Sequence, residues 1–512
     1  MQIKKHRRLI YGRSIVFFLA FLLQVLLIYA LVLALSVDYS VVYMASIPLS
    51  LLCTLFILND KSNPSFKLVW VMPILVVPVF GILLYTYTRL QLASRVVNKR
   101  LSANIALIRE HLKQNGDTLE TLTTLDAAER NLALYMNTFG AAPVFDATQA
   151  KYLSSGEEKL ACLKAELAQA KEFIFMEYFI VERGLMWDGI VEILKQKAQE
   201  GVDIKIMYDG MCALSLLPKN YPDTLQEMGM ECRLFLPVVP VISTIQNNRD
   251  HRKITVIDGR VAFTGGVNLA DEYINEKPRF GHWRDTAIML KGAAVNSFTA
   301  LFLQNWNISH ASKQVDYKQY LRSDLKWPEQ AGYFIPYGDS PLDSEQLARN
   351  VYMDIINRAK TYVHITTPYL IPDNEMLSSL KFAAMRGVET IIVMPHIPDK
   401  KSAYYLARTF YPELLLTGVR IFEYTPGFMH AKMFISDDIR AVVGTINLDF
   451  RSLYLHFECG VYCYNSPVVA DIEADYQDIL QKSEEILLKN CADYSLIGRL
   501  SGRMLRLFAP LM

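Results

Sequence analysis

Two histidine–lysine pairs recur in this chain with the same residues around them. The first pair is His251 and Lys253, and the second is His430 and Lys432, 179 residues further on. Each pair is followed at matched offsets by an aspartate and an asparagine, Asp258 and Asn268 in the first copy and Asp437 and Asn447 in the second. A single His-x-Lys pair is common by chance, but two complete copies predict one site to which both copies of the motif contribute.

These residue types favour chemistry on a phosphate group. The two lysines act as point charges suited to phosphate oxygens, whereas their ammonium groups would repel a metal ion. Imidazole titrates near neutrality, so one motif histidine can attack phosphorus while the other protonates the leaving alkoxide. Positive side chains would then replace the Mg²⁺ usual in phosphoryl transfer. We expect no metal and no cofactor, and the symmetric spacing leaves the identity of the nucleophile open.

Each motif is predicted to lie on a β-hairpin. Residues two apart on a strand share a face, so the histidine and lysine of each motif project together. Asp258–Gly259 is a standard two-residue turn, and Asp437–Asp438 is a weaker one. A turn-forming role is therefore favoured over direct chemistry for both aspartates, although both remain candidate catalytic residues. The two asparagines follow the second strand of each hairpin, where a ligand could sit.

The body of the chain contains a second level of repetition. A strand–helix–strand pattern occurs twice and predicts βαβ units. The segments are 173–178, 186–199 and 201–209 in the first half, and 362–369, 375–385 and 387–395 in the second. Neither half has the glycine-rich turn of a dinucleotide-binding domain. The expected fold is α/β, with two tandem repeats whose mixed sheets are flanked by helices and face each other across one phosphate-sized pocket.

The front of the chain is strongly apolar. Three runs, at 15–37, 41–58 and 68–87, predict N-terminal transmembrane helices, because about 20 apolar residues cross a hydrocarbon core of about 30 Å. A cleaved signal peptide is disfavoured by the length of the first run. Prolines in the later runs allow kinked or re-entrant helices. Basic residues before the first run and after the third both favour a cytoplasmic position, so the number of full crossings stays open.

Composition limits the classes of function. The 512 residues suggest about three domains, and a net charge of +1 argues against a nucleic-acid partner. Seven cysteines without a Cys-x-x-Cys pattern predict free thiols. The predicted organisation is a membrane anchor (1–88), a helical connector (89–150), two repeats (151–328 and 329–495) and a C-terminal amphipathic segment (496–512). That last segment fits an interfacial helix or a packing helix with a charged outer face.

The motifs resemble those of the phospholipase D superfamily, and within it the bacterial cardiolipin synthases. The likeness extends over nearly the whole chain and includes segments 70–85, 176–179, 282–286, 367–373 and 447–452. The resemblance implies that one motif histidine becomes a phosphatidyl-histidine and that the other is the acid and base. Asp285 and Glu458 match the acidic residues that orient the imidazoles. His456 departs from the asparagine often found there, and the apolar run at 15–37 is an addition.

The implied activity is that of a phosphatidyltransferase of the cell membrane, with a multi-pass anchor. Two phosphatidylglycerol molecules would give cardiolipin and glycerol. By analogy His251 is the nucleophile, supported by Glu458, and His430 is the acid and base, supported by Asp285. The phosphate would be held by four residues, Lys253, Lys432, Asn268 and Asn447. The rivals are a phospholipase D that transfers to water, a phosphatidylserine synthase, a nuclease and a non-catalytic membrane scaffold; the oligomeric state is left open.

Overall fold

A computed structural model describes most of the chain. The described residues are 39–89, 92–238, 244–310, 314–322, 330–343, 345–492 and 496–511, with isolated positions at 19, 22, 23, 26, 29, 30, 33, 34, 325, 327 and 494. The apolar run predicted at 15–37 therefore lies mostly outside the described residues.

The helices alternate with strands through the body of the chain and stand alone at its two ends. They are α1 (Tyr39–Leu58), α2 (Pro64–Val76), α3 (Pro78–Arg89), α4 (Leu92–His111), α5 (Gly116–Leu125), α6 (Ala127–Gly140), α7 (Gly156–Ala168), α8 (Leu185–Gln199), α9 (Gly210–Ser215), α10 (Tyr221–Glu227), α11 (Val295–Ser309), α12 (Leu347–Arg358), α13 (Asn374–Met385), α14 (Lys401–Ala407), α15 (Tyr411–Leu415), α16 (Phe450–Tyr454), α17 (Val468–Gln481), α18 (Leu488–Ala492) and α19 (Leu496–Arg506), followed by a 3₁₀ turn at Ala509–Leu511.

The strands fall into two groups along the chain. The first group is β1 (Thr148–Leu153), β2 (Phe173–Tyr178), β3 (Asp203–Asp209), β4 (Glu231–Phe235), β5 (Lys253–Ile257), β6 (Val261–Gly265), β7 (His282–Arg284) and β8 (Ala287–Gly292). The second is β9 (Tyr333–Asp339), β10 (Tyr362–Thr366), β11 (Glu389–Pro395), β12 (Arg420–Tyr424), β13 (Gly427–Met429), β14 (Met433–Ser436), β15 (Arg440–Gly444), β16 (Glu458–Tyr464) and β17 (Ser483–Ile486). The strand–helix–strand pattern predicted for each half is confirmed, with strands a few residues shorter than expected.

The two main sheets have the same strand order. The first runs β1-β8-β6-β5-β2-β3-β4, and the second runs β9-β16-β15-β14-β10-β11-β12 with β17 added at its edge. In both sheets the central βαβ strands are parallel and the motif hairpin is antiparallel. The tandem repeat predicted from the sequence is thus present at the level of topology.

A shared core lies between the repeats. Helix α11 is buried along almost its whole length and packs on the first sheet, but it also contacts β9 of the second. Helix α17 packs on the second sheet and contacts β1 of the first. Side chains from both sheets, such as Phe175 and Val443, belong to this one cluster. Separate clusters cover the outer face of each sheet, so each repeat is layered and the two are joined through their inner faces.

The N-terminal helices dock on the second repeat near α16. The ring of Phe66 meets Phe450 and Tyr454 edge to face, at centroid distances of 5.8 and 5.5 Å. The side-chain amide of Asn63 donates to the Tyr454 hydroxyl at 2.9 Å. These contacts fix the position of α2 against the body of the protein.

The apolar run at 68–87 is divided between two helices. Helix α2 ends at Val76 and α3 begins at Pro78, a residue that has no amide hydrogen to continue an α-helix. The two helices fold back closely, since a Cβ at Gly81 would lie 2.5 Å from the Ile74 Cα. Among the helices that the structure describes, none combines the length and the apolar character required to cross a membrane. The prediction of transmembrane helices at 41–58 and 68–87 is therefore not confirmed.

Candidate active site

The backbone brings each motif histidine to the other repeat. Asp250, the residue before His251, pairs in parallel with Phe457 of the second repeat. Strand β13, which ends one residue before His430, pairs in parallel with β7 of the first repeat. The His251 amide donates to the Phe457 carbonyl at 2.9 Å. Both histidines precede the motif strands rather than lying within them, which differs slightly from the prediction and places them at the junction of the repeats.

His251 is held by an acid from the opposite repeat. Its Nδ1 lies 2.9 and 3.0 Å from the two carboxylate oxygens of Glu458, the first residue of β16. The Thr445 hydroxyl donates to the same carboxylate. Because the Glu458 carboxylate accepts a hydrogen bond from the Nδ1–H group, the lone pair of neutral His251 is carried by Nε2. This is the arrangement of a nucleophile or base whose tautomer is fixed by a third group.

His430 of the second repeat is held by an acid from the first repeat. Its Nδ1 lies 2.5 Å from Oδ2 of Asp285, which follows β7 in the first repeat. The other carboxylate oxygen of Asp285 accepts from the Thr286 amide at 2.9 Å. Asp285 and Glu458 are fully or almost fully buried. Each repeat therefore supplies one histidine and the carboxylate that orients the histidine of the other.

The motif lysines lie beside the histidines and are buried. The Lys253 ammonium donates to the His251 carbonyl at 2.6 Å, and the Lys432 ammonium donates to the His430 carbonyl. Burial lowers the pKa of Lys253 to about 8, an effect opposed by Glu458. Burial lowers the pKa of Lys432 to about 7, opposed by Asp285. The carboxylates of Glu458 and Asp285 offset part of this positive charge, and an anionic ligand between the lysines would offset more of it.

The surroundings of the two motif histidines favour the neutral form of each ring. Burial lowers the pKa of His251 well below its usual range, and the charges of Lys253 and Lys432 lower it further. Burial lowers the pKa of His430 to about 4, with Lys432 adding to the effect and Asp285 opposing it. The influence of Lys432 and His430 on His251 reflects the convergence of both motifs in one place. An unprotonated imidazole is the form that can act as a nucleophile.

The two asparagines differ in their surroundings. Asn268 accepts from the Ile180 amide at 3.0 Å and donates to the Tyr273 hydroxyl at 2.7 Å. Asn447 is buried, and its Oδ1 has no hydrogen-bond partner among the described residues. Buried amide groups are normally hydrogen-bonded, so the Oδ1 of Asn447 is the acceptor that a ligand could satisfy.

Asp258 and Asp437 lie at the far ends of the motif hairpins, away from the histidines. The Asp258 carboxylate accepts the amides of residues 171, 172 and 173 at 2.9, 2.7 and 2.9 Å. Asp437 accepts the amides of residues 360, 361 and 362 at 2.9, 2.8 and 3.1 Å. Both aspartates have positive φ, 53° and 54°. They anchor the start of a central strand in each repeat and form the turn, and the structure does not bring them to the reacting groups.

His456 stands next to the motif site. Its ring lies 5.5 Å from that of His251, and its Nδ1 is 3.7 Å from Glu458, beyond hydrogen-bond distance. Both ring nitrogens are buried without a hydrogen-bond partner among the described residues. His251, His456 and Glu458 could offer three ligands to a metal ion. The neighbouring lysines oppose a cation there.

Two contributors were not predicted from the sequence. Thr445 occupies the position that matches Gly266 of the first repeat, where a Cβ would lie 2.0 Å from Asp285. The hydroxyl that supports Glu458 therefore has no counterpart beside Asp285. Lys159 of α7 is buried and donates to the Tyr178 hydroxyl and to the Val267 carbonyl. The aligned repeat could have revealed the Gly–Thr difference, but nothing in the sequence singles out Lys159.

Comparison with known proteins agrees with this geometry. A family model described as the phospholipase-D-like domain of cardiolipin synthase matches residues 163–306 and 352–480, more than half of the chain. A second model, described as a phospholipase D-nuclease N-terminal region, matches residues 49–86.

Individual relatives cover most of the chain. An uncharacterized protein of Streptococcus mutans is 45% identical over 90% of this chain and 99% of its own length. Cardiolipin synthase 2 of Bacillus anthracis is 33% identical over 90% of this chain and 89% of its own length. The crystal structure of a phosphatidylserine synthase of Haemophilus influenzae has a TM-score of 0.58 at 15% identity, covering 75% of this chain and 97% of that one, which is a likeness of fold.

Proposed function

The chain belongs to the family of proteins with the phospholipase-D-like domain of cardiolipin synthases, and on that premise we propose that it is a cardiolipin synthase. The substrate would be phosphatidylglycerol, and the enzyme a phosphatidyltransferase that needs neither metal nor cofactor. The observation that carries the proposal is the crossed pairing of His251 with Glu458 and of His430 with Asp285 beside two buried lysines. That arrangement supplies a nucleophile, an acid and an anion site at one place.

In the first half-reaction, Nε2 of His251 attacks the phosphorus of one phosphatidylglycerol. The bond from phosphorus to the headgroup oxygen breaks, and glycerol leaves with a proton from His430. The free protein favours neutral His430, but a bound phosphate brings negative charge beside the ring and raises its pKa. Substrate binding therefore promotes the protonated form that the leaving group requires. Glu458 stabilises the positive charge that develops on His251.

In the second half-reaction, His430 is neutral and acts as a base. It takes the proton from a headgroup hydroxyl of a second phosphatidylglycerol, and that oxygen attacks the phosphorus. The phosphorus–nitrogen bond to His251 breaks, cardiolipin is released and both rings return to their starting forms. Asp285 orients His430 for both proton transfers, and Thr445 steadies the Glu458 carboxylate behind His251.

Lys253 and Lys432 would hold the non-bridging phosphate oxygens throughout. Their ammonium groups are buried beside the histidines, where the low local dielectric strengthens an interaction with an anion. Asn447 would be a further donor through its Nδ2 group, whereas its buried Oδ1, which has no partner among the described residues, can only accept, for example from a headgroup hydroxyl. Asn268 supports the site through the Ile180 backbone and Tyr273 rather than as a free donor.

We further propose that the N-terminal helices attach the enzyme to the cell membrane. Large apolar side chains of these helices are exposed, among them Met44 (71%), Phe56 (68%) and Val76 (74%). Exposed apolar surface of this extent marks a membrane or protein contact. Attachment would hold the site where phosphatidylglycerol is concentrated and so raise its effective concentration.

The decisive experiment uses the purified full-length protein with phosphatidylglycerol as the only lipid. Mass spectrometry should detect cardiolipin, with glycerol released in equal amount. A protein carrying both His251→Asn and His430→Asn is the matched control and should give neither product. Phosphatidic acid as the sole lipid product would identify a hydrolase instead. Product formed only from a nucleotide-activated lipid and serine would identify a phosphatidylserine synthase.

A further inference from the structure

A cavity of about 660 Å³ lies on the second repeat, between the C-terminal helix α19 and the helices α14 and α15. It is separate from the motif histidines. Four arginines line it, together with a single carboxylate, Glu413; they are Arg408, Arg499, Arg503 and Arg506. The remaining wall is largely apolar or aromatic and includes Leu416, Pro412 and Tyr405. The cavity therefore combines a strong positive charge with an apolar side.

The arginines are not all engaged within the protein. Arg408 stacks on the rings of Tyr404 and Tyr494, at 4.0 and 4.2 Å, and pairs with Glu423. Arg506 lies 3.6 Å from Glu413, which also binds Lys381, and stacks on Phe410. Arg499 and Arg503 are exposed and form no ion pair or hydrogen bond with the described residues. Two cations at the mouth of the cavity are thus free for an anionic ligand.

The same helix carries an apolar stripe beside the arginines. Leu500 and Met504, four residues apart and each 60% exposed, share one face of the helix, and Leu507, 53% exposed, follows directly after the helix ends. The opposite face is seated on the protein, because a Cβ at Gly502 would lie 2.5 Å from the Tyr405 carbonyl oxygen. The Gly502 face therefore packs on α14, Arg506 adds contacts to Phe410 and Glu413, and Arg499, Arg503, Leu500 and Met504 stay exposed.

The end of the chain also adjoins the N-terminal helices. The turn at Ala509–Leu511 contacts α2, and the Leu511 carbonyl accepts from Arg451 at 3.1 Å. The exposed apolar side chains of α19 thus lie at the same end of the molecule as those of α1 to α3. A ligand of this cavity would meet both a cluster of positive charge and the surface proposed to face the membrane.

We propose that this cavity binds the headgroup of an anionic phospholipid, with the acyl chains lying along the apolar stripe of α19. A phosphate between Arg499 and Arg503 would form charge-assisted hydrogen bonds with guanidinium groups, which favour phosphate geometry. Leu416 and Leu500 would border the start of the acyl chains. This is a second lipid site beside the catalytic one, and it rests on the proposed membrane function of the protein.

The test uses full-length protein with the substitutions His251→Asn, Lys253→Met and Lys432→Met, so that phosphatidylglycerol is neither consumed nor held at the motif site. Fluorescent phosphatidylglycerol or phosphatidylcholine is titrated in micelles of an uncharged detergent. The double variant Arg499→Gln/Arg503→Gln should bind phosphatidylglycerol about fivefold more weakly for each arginine, roughly thirtyfold in all, with phosphatidylcholine binding unchanged. The matched control is Arg130→Gln/Arg260→Gln, which removes the same charge elsewhere and should bind as the parent does.

Two further measurements identify the ligand of the cavity. Leu500→Ser/Met504→Ser should weaken the binding of both lipids, by about tenfold, because it removes apolar contact rather than charge. Soluble glycerol phosphate should not displace phosphatidylglycerol. Equal losses in the Arg499/Arg503 variant and the control, or full displacement by glycerol phosphate, would overturn the proposal. Cardiolipin formation by the protein without the three motif substitutions is measured separately, so failure of the catalytic proposal is distinguishable from failure of this one.

Discussion

Nδ1 of His251 lies 2.9 Å from the carboxylate of Glu458, although the two residues belong to different repeats and are 207 positions apart in the chain. His430 and Asp285 form the reciprocal pair. Neither motif histidine takes its orienting acid from its own repeat. In the proposed mechanism the catalytic unit is therefore the pair of repeats, and substitutions in either half should affect chemistry carried by the other.

Replacing either motif histidine should abolish turnover. Loss of the acid and base alone is expected to lower kcat by about 10²- to 10⁴-fold, and loss of the nucleophile by at least as much. With phosphatidylglycerol radiolabelled in its phosphatidyl group, His430→Asn should acquire label slowly, because it lacks the acid for glycerol release, and should retain that label after denaturation, because the acceptor is not deprotonated. His251→Asn should acquire no label. Label on His251→Asn alone would reverse the assigned roles, and activity in both variants would refute the scheme.

Glu458 and Asp285, which orient the motif histidines, should affect kcat more than substrate binding. Glu458→Gln and Asp285→Asn keep the shape of each side chain but remove the charge that holds the imidazole. We expect kcat to fall by about a hundredfold or more in each, with a smaller change in KM. Thr445→Val, which removes only the hydroxyl donor to Glu458, should cause a weaker loss in the same direction. An unchanged kcat in Glu458→Gln would contradict the role of that contact.

Activity should decline as the pH rises through the lysine pKa values. Only the protonated ammonium binds phosphate, and burial lowers the pKa to about 7 for Lys432 and about 8 for Lys253. The charged forms are present below these values and are lost above them, so kcat/KM should fall between about pH 7 and 9. Lys432→Arg replaces the lower of the two titrating groups with one that stays charged. Its alkaline limb should move to higher pH, even where the maximal rate is reduced.

The motif aspartates should matter for stability rather than chemistry. Asp258→Ala removes the acceptor of three backbone amides and places a residue without a side-chain acceptor at φ 53°. Hydrogen bonds to charged groups contribute about 1.5–3 kcal/mol, so the free energy of unfolding should fall by at least this amount. Thermal unfolding measures the loss. The rate per folded molecule should stay close to that of the parent, and a selective loss of kcat in a fully folded Asp258→Asn variant would contradict the structural role.

His456 should be replaceable. Its ring nitrogens make no hydrogen bond with the described residues, and it lies beyond hydrogen-bond distance of Glu458. His456→Asn should therefore change kcat/KM by less than about tenfold, and removing a buried unsatisfied imidazole should not lower the melting temperature. Steady-state kinetics beside thermal unfolding separates the two effects. A loss as large as that of Glu458→Gln would mean that His456 contacts the substrate.

The sequence predicted the repeat better than it predicted the site. Strands such as Phe173–Tyr178 follow directly from apolar pattern and turn residues, and the structure has that strand with the same bounds. Asp258 and Asp437 were correctly favoured as turn formers. The crossed pairing could not be obtained from spacing, because it depends on how two sheets face each other. Glu458 and Asp285 were identified only through the resemblance to a known family.

The ends of the chain show where local pattern is insufficient. An apolar run at 68–87 has the composition of a spanning helix, but Pro78 divides it and Gly81 lets the halves fold together. Which face of α19 meets the protein depends on Gly502 and the neighbouring Tyr405 carbonyl, a tertiary contact that helix periodicity does not encode. Likewise, Lys159 becomes a buried neighbour of the site only when α7 packs on the first sheet.

Strands β7 and β13 give the two halves of the enzyme a mechanical connection. Main-chain hydrogen bonds join residues 282–284 to residues 427–429 and run directly up to Asp285 and His430. A hinge motion that separated the two repeats would have to break these hydrogen bonds, at a cost of about 0.5–1.5 kcal/mol each. It would also separate each motif histidine from its orienting acid. The two repeats should therefore move as one rigid body throughout the catalytic cycle. Lipid would then enter through movement of side chains and loops at the surface of the site. A substitution in those side chains or loops would change the rate of lipid entry without moving the reacting groups.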